Sequence, residues 1–168
     1  METRYAVAFT GPSNSGKTTV IEKIALRLSP HKRVVVVKHD PKDKAVFDRE
    51  GKDSARFFAA GADTVVVSPT RTTYFSHRSR TLPEIEALIG TYEYLIVEGL
   101  KTWPLPRIGV FRGTIDESYL PYCQAIAVDD TVDVNAFDLP DDIAVLDLND
   151  PDRIIAWIEH HAPFNAKG

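Results

Sequence analysis

The chain has 168 residues, the size of one compact domain, so we expect residues 1–168 to form a single folded unit. Hydrophobic residues make up 43% and charged residues 26%, which excludes an intrinsically disordered protein. No apolar run approaches the ~18 residues of a membrane span, and no signal-peptide core follows the start, so we expect a cytoplasmic protein that contacts no membrane. Cys123 is the only cysteine, which excludes an internal disulfide and a multi-cysteine zinc site.

Charge is distributed unevenly along the chain. Residues 1–80 contain 15 basic and 8 acidic residues, a net charge of +7, whereas residues 81–168 contain 5 and 16, a net charge of −11. A basic half favours a small polyanionic ligand, and a strongly acidic half argues against a nucleic-acid partner. Basic side chains that merely cover solvent-exposed faces would give the same totals. The charge alone therefore does not show whether the protein binds a polyanion, and the sequence motifs are needed to distinguish the two interpretations.

The apolar pattern alternates between short strands and helices. Tyr5–Thr10 is a strand-forming run that ends at Gly11, and a helical period follows from Lys17 to Leu28. The four valines of Val34–Val37 are typical of a strand buried on both faces. The later predicted elements are a helix over Lys52–Ala60, a buried strand over Thr64–Ser68, a helix over Pro83–Ile89, strands over Tyr94–Val97, Ile108–Phe111, Ala125–Val128 and Ala144–Leu146, and a helix over Ile154–His161.

This alternation predicts an α/β fold with a mostly parallel, twisted sheet flanked by helices. The segment Thr70–Arg80 breaks the pattern, because it is rich in threonine, aromatic residues and arginine. It predicts a hairpin extension near residues 70–80, where self-association would be natural, or else a plain surface loop.

Residues 11–18 read Gly-Pro-Ser-Asn-Ser-Gly-Lys-Thr and match G-x-x-x-x-G-K-[ST] between a strand and a helix, which predicts a P-loop NTPase fold. In such a loop the glycines permit close backbone approach to phosphates, and the helix N-terminus favours an anion. Lys17 would reach the β- and γ-phosphates, and the Thr18 hydroxyl would hold Mg²⁺. A glycine-rich turn without a ligand is the alternative. The candidate nucleotide-binding residues are Gly11, Ser13, Asn14, Ser15, Gly16, Lys17, Thr18 and Thr19.

An acidic metal partner is expected at the end of a neighbouring buried strand. Glu98 directly follows the apolar strand Tyr94–Val97, and we expect this strand to lie next to the first one. Asp40, after the valine strand, is a second metal candidate, although it would equally cap a turn before Pro41. We expect Lys17 and Glu98 to be the catalytic residues, with Gly99 bringing its backbone N–H to the γ-phosphate.

Several motifs occur in the order found in one known family. They are the phosphate loop, Lys38-His39-Asp40, Phe47-Asp48, Gly51-Lys52-Asp53-Ser54, Arg56, Ala60-Gly61-Ala62 and Val97-Glu98-Gly99-Leu100-Lys101. This set resembles MobB, the molybdopterin-guanine dinucleotide biosynthesis protein B family of P-loop GTP-binding proteins. The motifs extend over roughly residues 5–112, and residues 113–168 carry no matching motif.

The resemblance implies a homodimeric, Mg²⁺-dependent GTP-binding accessory protein with weak GTPase activity in molybdenum cofactor biosynthesis. It also implies molybdopterin or its guanine dinucleotide as a ligand and a MobA-like nucleotidyltransferase as the partner. Residues implied to contact phosphate or pterin are Lys38, His39, Asp48, Lys52, Asp53 and Arg56. Lys52 and Arg56 lie one helical turn apart, which suits a phosphate but equally fits a solvated helix face.

The sequence departs from an ordinary GTPase because it lacks an Asn-Lys-x-Asp motif. Asp129 or Asp130 would take over the contact with guanine, unless they only form a strand-end turn. No water-orienting glutamine directly follows Gly99, so unaided hydrolysis should be slow, and any arginine acting across a dimer would be Arg71, Arg78 or Arg80. Two other functions stay open: a P-loop kinase that phosphorylates a small metabolite, and a non-catalytic adaptor that binds cofactor and partner.

Overall fold

The computed structural model describes residues 3–164, and its contacts divide the chain into two compact units. Unit 1 comprises Met1–His39 and Ile89–Gly168, and unit 2 comprises Asp40–Leu88. The elements in chain order are β1 (Tyr5–Thr10), α1 (Lys17–Leu28), β2 (Val34–Lys38), α2 (Asp53–Ala59), β3 (Thr64–Val67), β4 (Thr72–Phe75), α3 (Leu82–Ile89), β5 (Tyr94–Glu98), β6 (Arg107–Phe111), β7 (Ala125–Val128), β8 (Ala144–Asp147) and α4 (Pro151–His161). None of the helices in residues 3–164 has both the length and the apolar character of a membrane span.

Unit 1 is built on a six-stranded parallel sheet with the strand order β2-β5-β1-β6-β7-β8. The central strand β1 is buried from Ala6 to Thr10, and the expected neighbour β5 pairs with it from Tyr5–Tyr94 to Phe9–Glu98. Helices α1 and α4 cover the sheet with apolar side chains such as Ile24, Ile154 and Trp157. The predicted α/β architecture is therefore confirmed. It brings the carboxyl ends of all six strands to one edge.

Two short 3₁₀ helices, Glu117–Tyr122 and Val134–Ala136, were not expected from the sequence. Each begins after an aspartate, Asp116 or Asp133, whose carboxylate accepts a hydrogen bond from the backbone N–H two residues later. This local capping competes with longer secondary structure and yields turns that apolar periodicity does not reveal.

Both valine runs form strands, as expected, but the prediction that these strands are buried was wrong. β2 is an edge strand of the six-stranded sheet, and Val36 is 45% exposed. In β3, Val65 and Val67 are 56% and 75% exposed, because within residues 3–164 this strand pairs with β4 alone, in a separate two-stranded sheet. A run of β-branched residues indicates a strand, but the number of neighbouring strands and helices decides its burial.

Unit 2 contains α2, the antiparallel pair β3–β4 and most of α3. The hairpin expected near residues 70–80 is present, since β4 spans Thr72–Phe75. The Asp63 carboxylate, just before β3, links the two ends of the hairpin. It accepts hydrogen bonds from the Tyr74 hydroxyl, the Ser76 hydroxyl and the His77 backbone N–H. These bonds, led by the one from His77, lower the pKa of Asp63. These hydrogen bonds fix the end of the hairpin that lies opposite its turn.

Candidate functional site

The loop between β1 and α1 has the backbone conformation that the phosphate-loop motif requires. Gly11, Asn14 and Gly16 have φ values of 142°, 61° and 100°. A Cβ on Gly11 would lie 2.4 Å from the carbonyl oxygen of Val110, so only glycine fits there. Gly16 is the N-cap of α1, and no side chain in the described part of the chain caps this helix, which leaves its first-turn amides open to an anion.

Lys17 lies back over this loop. Its Nζ donates to the carbonyl oxygens of Gly11 at 2.9 Å and Pro12 at 2.6 Å. Burial lowers the pKa of Lys17, while the nearby Glu98 carboxylate raises it and Lys38 lowers it further. A phosphate in the loop would add negative charge beside this partly buried ammonium group and favour its protonated form.

Ser15 provides a direct test of whether the loop fits a ligand. This residue is 4% exposed, and its Oγ has no hydrogen-bond partner among the described residues. A buried hydroxyl without a partner is costly, so such groups in proteins usually bind water or a ligand. The neighbouring Thr18 and Thr19 are exposed in the first turn of α1. The loop therefore fits a phosphate-bearing ligand.

Glu98 is the last residue of β5, adjacent to β1, and its side chain is 17% exposed. Lys38, its register partner on β2, places Nζ 4.0 Å from the Glu98 carboxylate. Thr18 and Glu98 thus lie on segments that leave neighbouring strands at one sheet edge, which fits a magnesium ion held by a hydroxyl, a carboxylate and phosphate oxygens.

Gly99 does not present its backbone N–H to a phosphate as expected. That N–H donates to the carbonyl oxygen of Phe9 at 2.9 Å, because it continues the pairing between β1 and β5. A Cβ on Gly99 would lie 3.1 Å from the Cβ of His39, so the predicted contact residue His39 packs against this glycine. The His39 backbone N–H in turn donates to the Glu98 carbonyl at 3.0 Å.

Arg107, which sequence reasoning did not single out, holds the loop after β5. It is 1% exposed, and its guanidinium donates to the carbonyl oxygens of Gly99 at 2.7 Å and Leu100 at 2.8 Å. Burial lowers the pKa of Arg107. A sequence cannot reveal this role, since an arginine at the start of a strand usually faces solvent.

Arg112 is a second cation that the sequence analysis missed. Its Nε would lie 3.5 Å from a Cβ on Gly16, and it lies 3.0 Å from Oδ2 of Asp129. The Asp129 carboxylate also accepts hydrogen bonds from the hydroxyl and the backbone N–H of Thr131. These contacts, with the Thr131 hydroxyl foremost, lower the pKa of Asp129. A guanidinium therefore lies directly beside the phosphate loop.

The carboxyl ends of β7 and β8 enclose a pocket of about 530 Å³. Asp129, Asp130, Asp147 and Asn149 contribute polar groups to its lining. Asp129 is already engaged by Arg112 and Thr131, whereas Asp130 is exposed. Of the two aspartates proposed for guanine, Asp130 is the more exposed residue.

Unit 2 carries the other predicted contact residues. Asp40 accepts hydrogen bonds from the backbone N–H groups of Lys44 at 2.7 Å and Ala45 at 2.6 Å, so its carboxylate caps a turn. Lys52 is the N-cap of α2, and Asp53 begins that helix. Lys52, Asp53 and Arg56 are all exposed, as on a solvated helix face. The metal role of Asp40 and the ligand contacts of the other residues stay predictions.

A parallel sheet with a Gly-Lys-Thr loop after its central strand defines a protein of the P-loop NTPase fold class. The family model described as "Molybdopterin guanine dinucleotide synthesis protein B" (MobB) matches residues 6–130. The chain belongs to the MobB family.

Curated relatives and solved structures agree with this assignment. The chain is 31% identical to the molybdopterin-guanine dinucleotide biosynthesis adapter protein of Haemophilus influenzae, over 92% of this chain and 89% of that protein. It is 30% identical to the protein of the same name from Escherichia coli, over 91% and 93%. The crystal structure of Bacillus subtilis MobB has a TM-score of 0.73 at 23% identity and covers 97% of this chain and 99% of that one, which supports the fold.

Proposed function

We propose that this protein is a Mg²⁺-dependent GTP-binding accessory protein with weak GTPase activity in molybdopterin guanine dinucleotide biosynthesis. The phosphate loop carries the proposal, because its uncapped helix N-terminus, the Lys17 ammonium group and the unpartnered Ser15 hydroxyl all suit a triphosphate. The curated relatives are named adapter proteins of this pathway. We propose further that the protein binds molybdopterin and a MobA-like nucleotidyltransferase. In this proposal it acts as a homodimer in the cytoplasm.

In this function the protein acts mainly by binding and orienting the nucleotide. Lys17 and the helix N-terminus hold the phosphates, and Thr18 with Glu98 would hold Mg²⁺, which neutralises phosphate charge when bound. The groups that speed hydrolysis in faster GTPases are committed elsewhere. The Gly99 N–H donates a hydrogen bond to the carbonyl oxygen of Phe9. The first glutamine that follows Gly99 in the sequence is Gln124, and its side-chain oxygen accepts a hydrogen bond from the Arg107 backbone N–H at 2.8 Å. Unaided hydrolysis is therefore slow.

The test is thermal unfolding with GTP, ATP or molybdopterin, each with and without Mg²⁺. At a GTP concentration of about 100 times Kd, binding adds about 2.7 kcal/mol of stability, and this raises Tm by about 5–10 °C. The substitution Lys17→Ala removes the ammonium group, so the shift should disappear. Lys23→Ala removes an exposed lysine from the same helix and should keep it.

The other outcomes separate the alternatives. No shift with any nucleotide, or an equal shift in Lys17→Ala, would contradict nucleotide binding at this loop. ADP formation that requires an added acceptor, with ATP preferred over GTP, would identify a kinase. Turnover of many GTP molecules per second without a partner would contradict the weak GTPase. A Lys17→Ala protein that keeps partner binding and function in cells would identify a non-catalytic adaptor.

A further inference from the structure

Arg112 is the first residue after β6, and its guanidinium packs against the phosphate loop. Its Nε and Cζ would lie 3.5 and 3.7 Å from a Cβ on Gly16. Gly16 is the N-cap of α1, so the guanidinium lies at the helix end that carries a partial positive charge. Both residues belong to unit 1. A cation at this end of a helix is unfavourable by itself, so its position calls for negative charge nearby.

The Asp129 carboxylate fixes one edge of this guanidinium. Its Oδ2 lies 3.0 Å from the Arg112 Nε, and the Asp129 side chain is only 9% exposed. Its Oδ1 accepts hydrogen bonds from the hydroxyl and the backbone N–H of Thr131. The Thr131 hydroxyl in turn accepts a hydrogen bond from the Gly113 backbone N–H at 2.8 Å. Because Gly113 directly follows Arg112, these contacts form a closed ring that fixes the position of the arginine.

The two terminal nitrogens of the Arg112 guanidinium are available to a ligand. A guanidinium has five N–H donors, and the one on Nε faces Asp129. Within residues 3–164, Nη1 and Nη2 donate no hydrogen bond to another side chain or carbonyl group, and the Arg112 side chain is 48% exposed. A guanidinium that is fixed at Nε and open at Nη1 and Nη2 can donate to two phosphate oxygens in parallel.

The loop beside Arg112 shows an independent sign of a ligand. Ser15 is 4% exposed, and its Oγ has no hydrogen-bond partner in the described part of the chain. This Oγ would lie 3.1 Å from a Cβ on Gly11, the first residue of the loop, so the hydroxyl lies inside the loop. The Lys17 ammonium group lies over the same loop. An unpartnered hydroxyl and two cations around one loop suit an anion with several negative charges.

We propose that Arg112 is a phosphate-binding residue of the nucleotide site in its own chain and that Asp129 is the positioning residue that orients it. Nη1 and Nη2 donate to oxygens of the phosphate nearest Gly16, while Nε stays paired with Asp129. The inference rests on the proposed function, because it places the nucleotide's phosphates in the loop. It adds a second cation to Lys17, and it gives Asp129 a task other than contact with guanine.

The test measures binding of GTP and of inorganic tripolyphosphate to the full chain by calorimetry with Mg²⁺. Tripolyphosphate has no base, so its affinity reports the phosphate contacts alone. Arg112→Gln should weaken both ligands at least about tenfold, since it removes a charge-assisted contact. Arg112→Lys keeps the charge without the planar fork and should lose less affinity. Arg27→Gln is the control: Arg27 is also paired with an aspartate and half exposed, but it lies in the last turn of α1, so both affinities should be unchanged.

Two further measurements separate a phosphate contact from a merely structural role. The affinity of Arg112→Gln for tripolyphosphate should depend less on salt concentration than that of the wild type, because one cation fewer faces the ligand. Asp129→Asn should weaken tripolyphosphate binding in the wild-type background but not when Arg112 is already glutamine, because Asp129 acts through the arginine. A guanidinium that only ties the loop to β7 would, when replaced, lower Tm without ligand and leave the tripolyphosphate affinity unchanged.

The possible failures are distinguishable. If GTP raises the Tm of the wild type but Arg112→Gln binds both ligands as tightly, or Arg27→Gln loses as much affinity as Arg112→Gln, this proposal is overturned and the proposed function stands. If Asp129→Asn has the same effect in both backgrounds, the role of Asp129 is overturned. If tripolyphosphate binds through Arg112 but GTP does not raise Tm, the proposed function fails and the phosphate contact stands. If the wild type binds neither ligand, both fail.

Discussion

Gly11 shows how one residue controls the phosphate loop. Its φ of 142° is disfavoured for any residue with a Cβ, and the space where the Cβ would lie is taken by the backbone carbonyl of Val110. Val110 belongs to β6, the neighbour of β1, so neither strand can move aside without disturbing the sheet. The sheet itself therefore requires glycine at this position.

The substitution Gly11→Ala should lower the free energy of unfolding by about 3 kcal/mol, because strain at positive φ adds to a backbone clash. It should also abolish the rise in Tm with GTP. Gly113→Ala is the matched control: its φ is 72°, but no atom from elsewhere in residues 3–164 lies within 4 Å of the added Cβ, so it should cost only about 1 kcal/mol. Urea denaturation of both variants checks this. Equal losses would show that the clash with Val110 is relieved.

At the scale of elements, the loop after β5 is fastened to β6 by Arg107. The buried guanidinium replaces water as the donor for the carbonyl groups of Gly99, Leu100 and Trp103, the last at 3.4 Å. Gly99 and Leu100 both have positive φ, at 89° and 49°. A loop with this backbone needs such external hydrogen bonds to keep its conformation beside Glu98.

Replacing Arg107 by alanine should lower the free energy of unfolding by about 3–5 kcal/mol, since it leaves a cavity and unpaired carbonyl groups. Amide hydrogen exchange should become faster in residues 99–103. Arg27→Ala is the control, because the Arg27–Asp152 pair is exposed and worth only about 0.5 kcal/mol. Unchanged exchange in residues 99–103 would mean that the loop keeps its conformation without the guanidinium.

At the scale of the whole molecule, exposed valines on β3 bear on the proposed homodimer. Val65 and Val67 point to the same side of the strand, and both are more than half exposed. A two-stranded sheet with an exposed apolar side is marginal in water by itself, which favours its burial against another chain. We therefore expect the hairpin to contribute to self-association.

The double substitution Val65→Glu and Val67→Glu should convert a dimer to a monomer, because it introduces two charges into an apolar contact. Sedimentation velocity measures the change directly. Leu26→Glu alters an equally exposed apolar residue on α1 and should leave the dimer intact. A wild-type protein that is monomeric at micromolar concentration, or a double variant that still dimerises, would contradict this prediction.

The sequence alone determined the features that depend on local chemistry. The glycines of residues 11–18 specify a tight turn between the apolar run before it and the helical period after it, and the bounds of β1, α1 and β7 agree with expectation. The order of the motifs likewise indicated the family, because short sequence motifs with fixed spacing are properties of the chain itself.

Only the tertiary structure decided which groups are already occupied. Gly99 was expected to offer its N–H to a phosphate, but pairing with β1 uses it; Asp129 was a candidate for guanine, but Arg112 holds it. The sequence likewise did not predict the exposure of β2 and β3 or the contacts of Arg107 and Arg112. Hydrogen-bond partners and solvent exposure depend on which segments become neighbours in space, and the sequence lists residues without their neighbours.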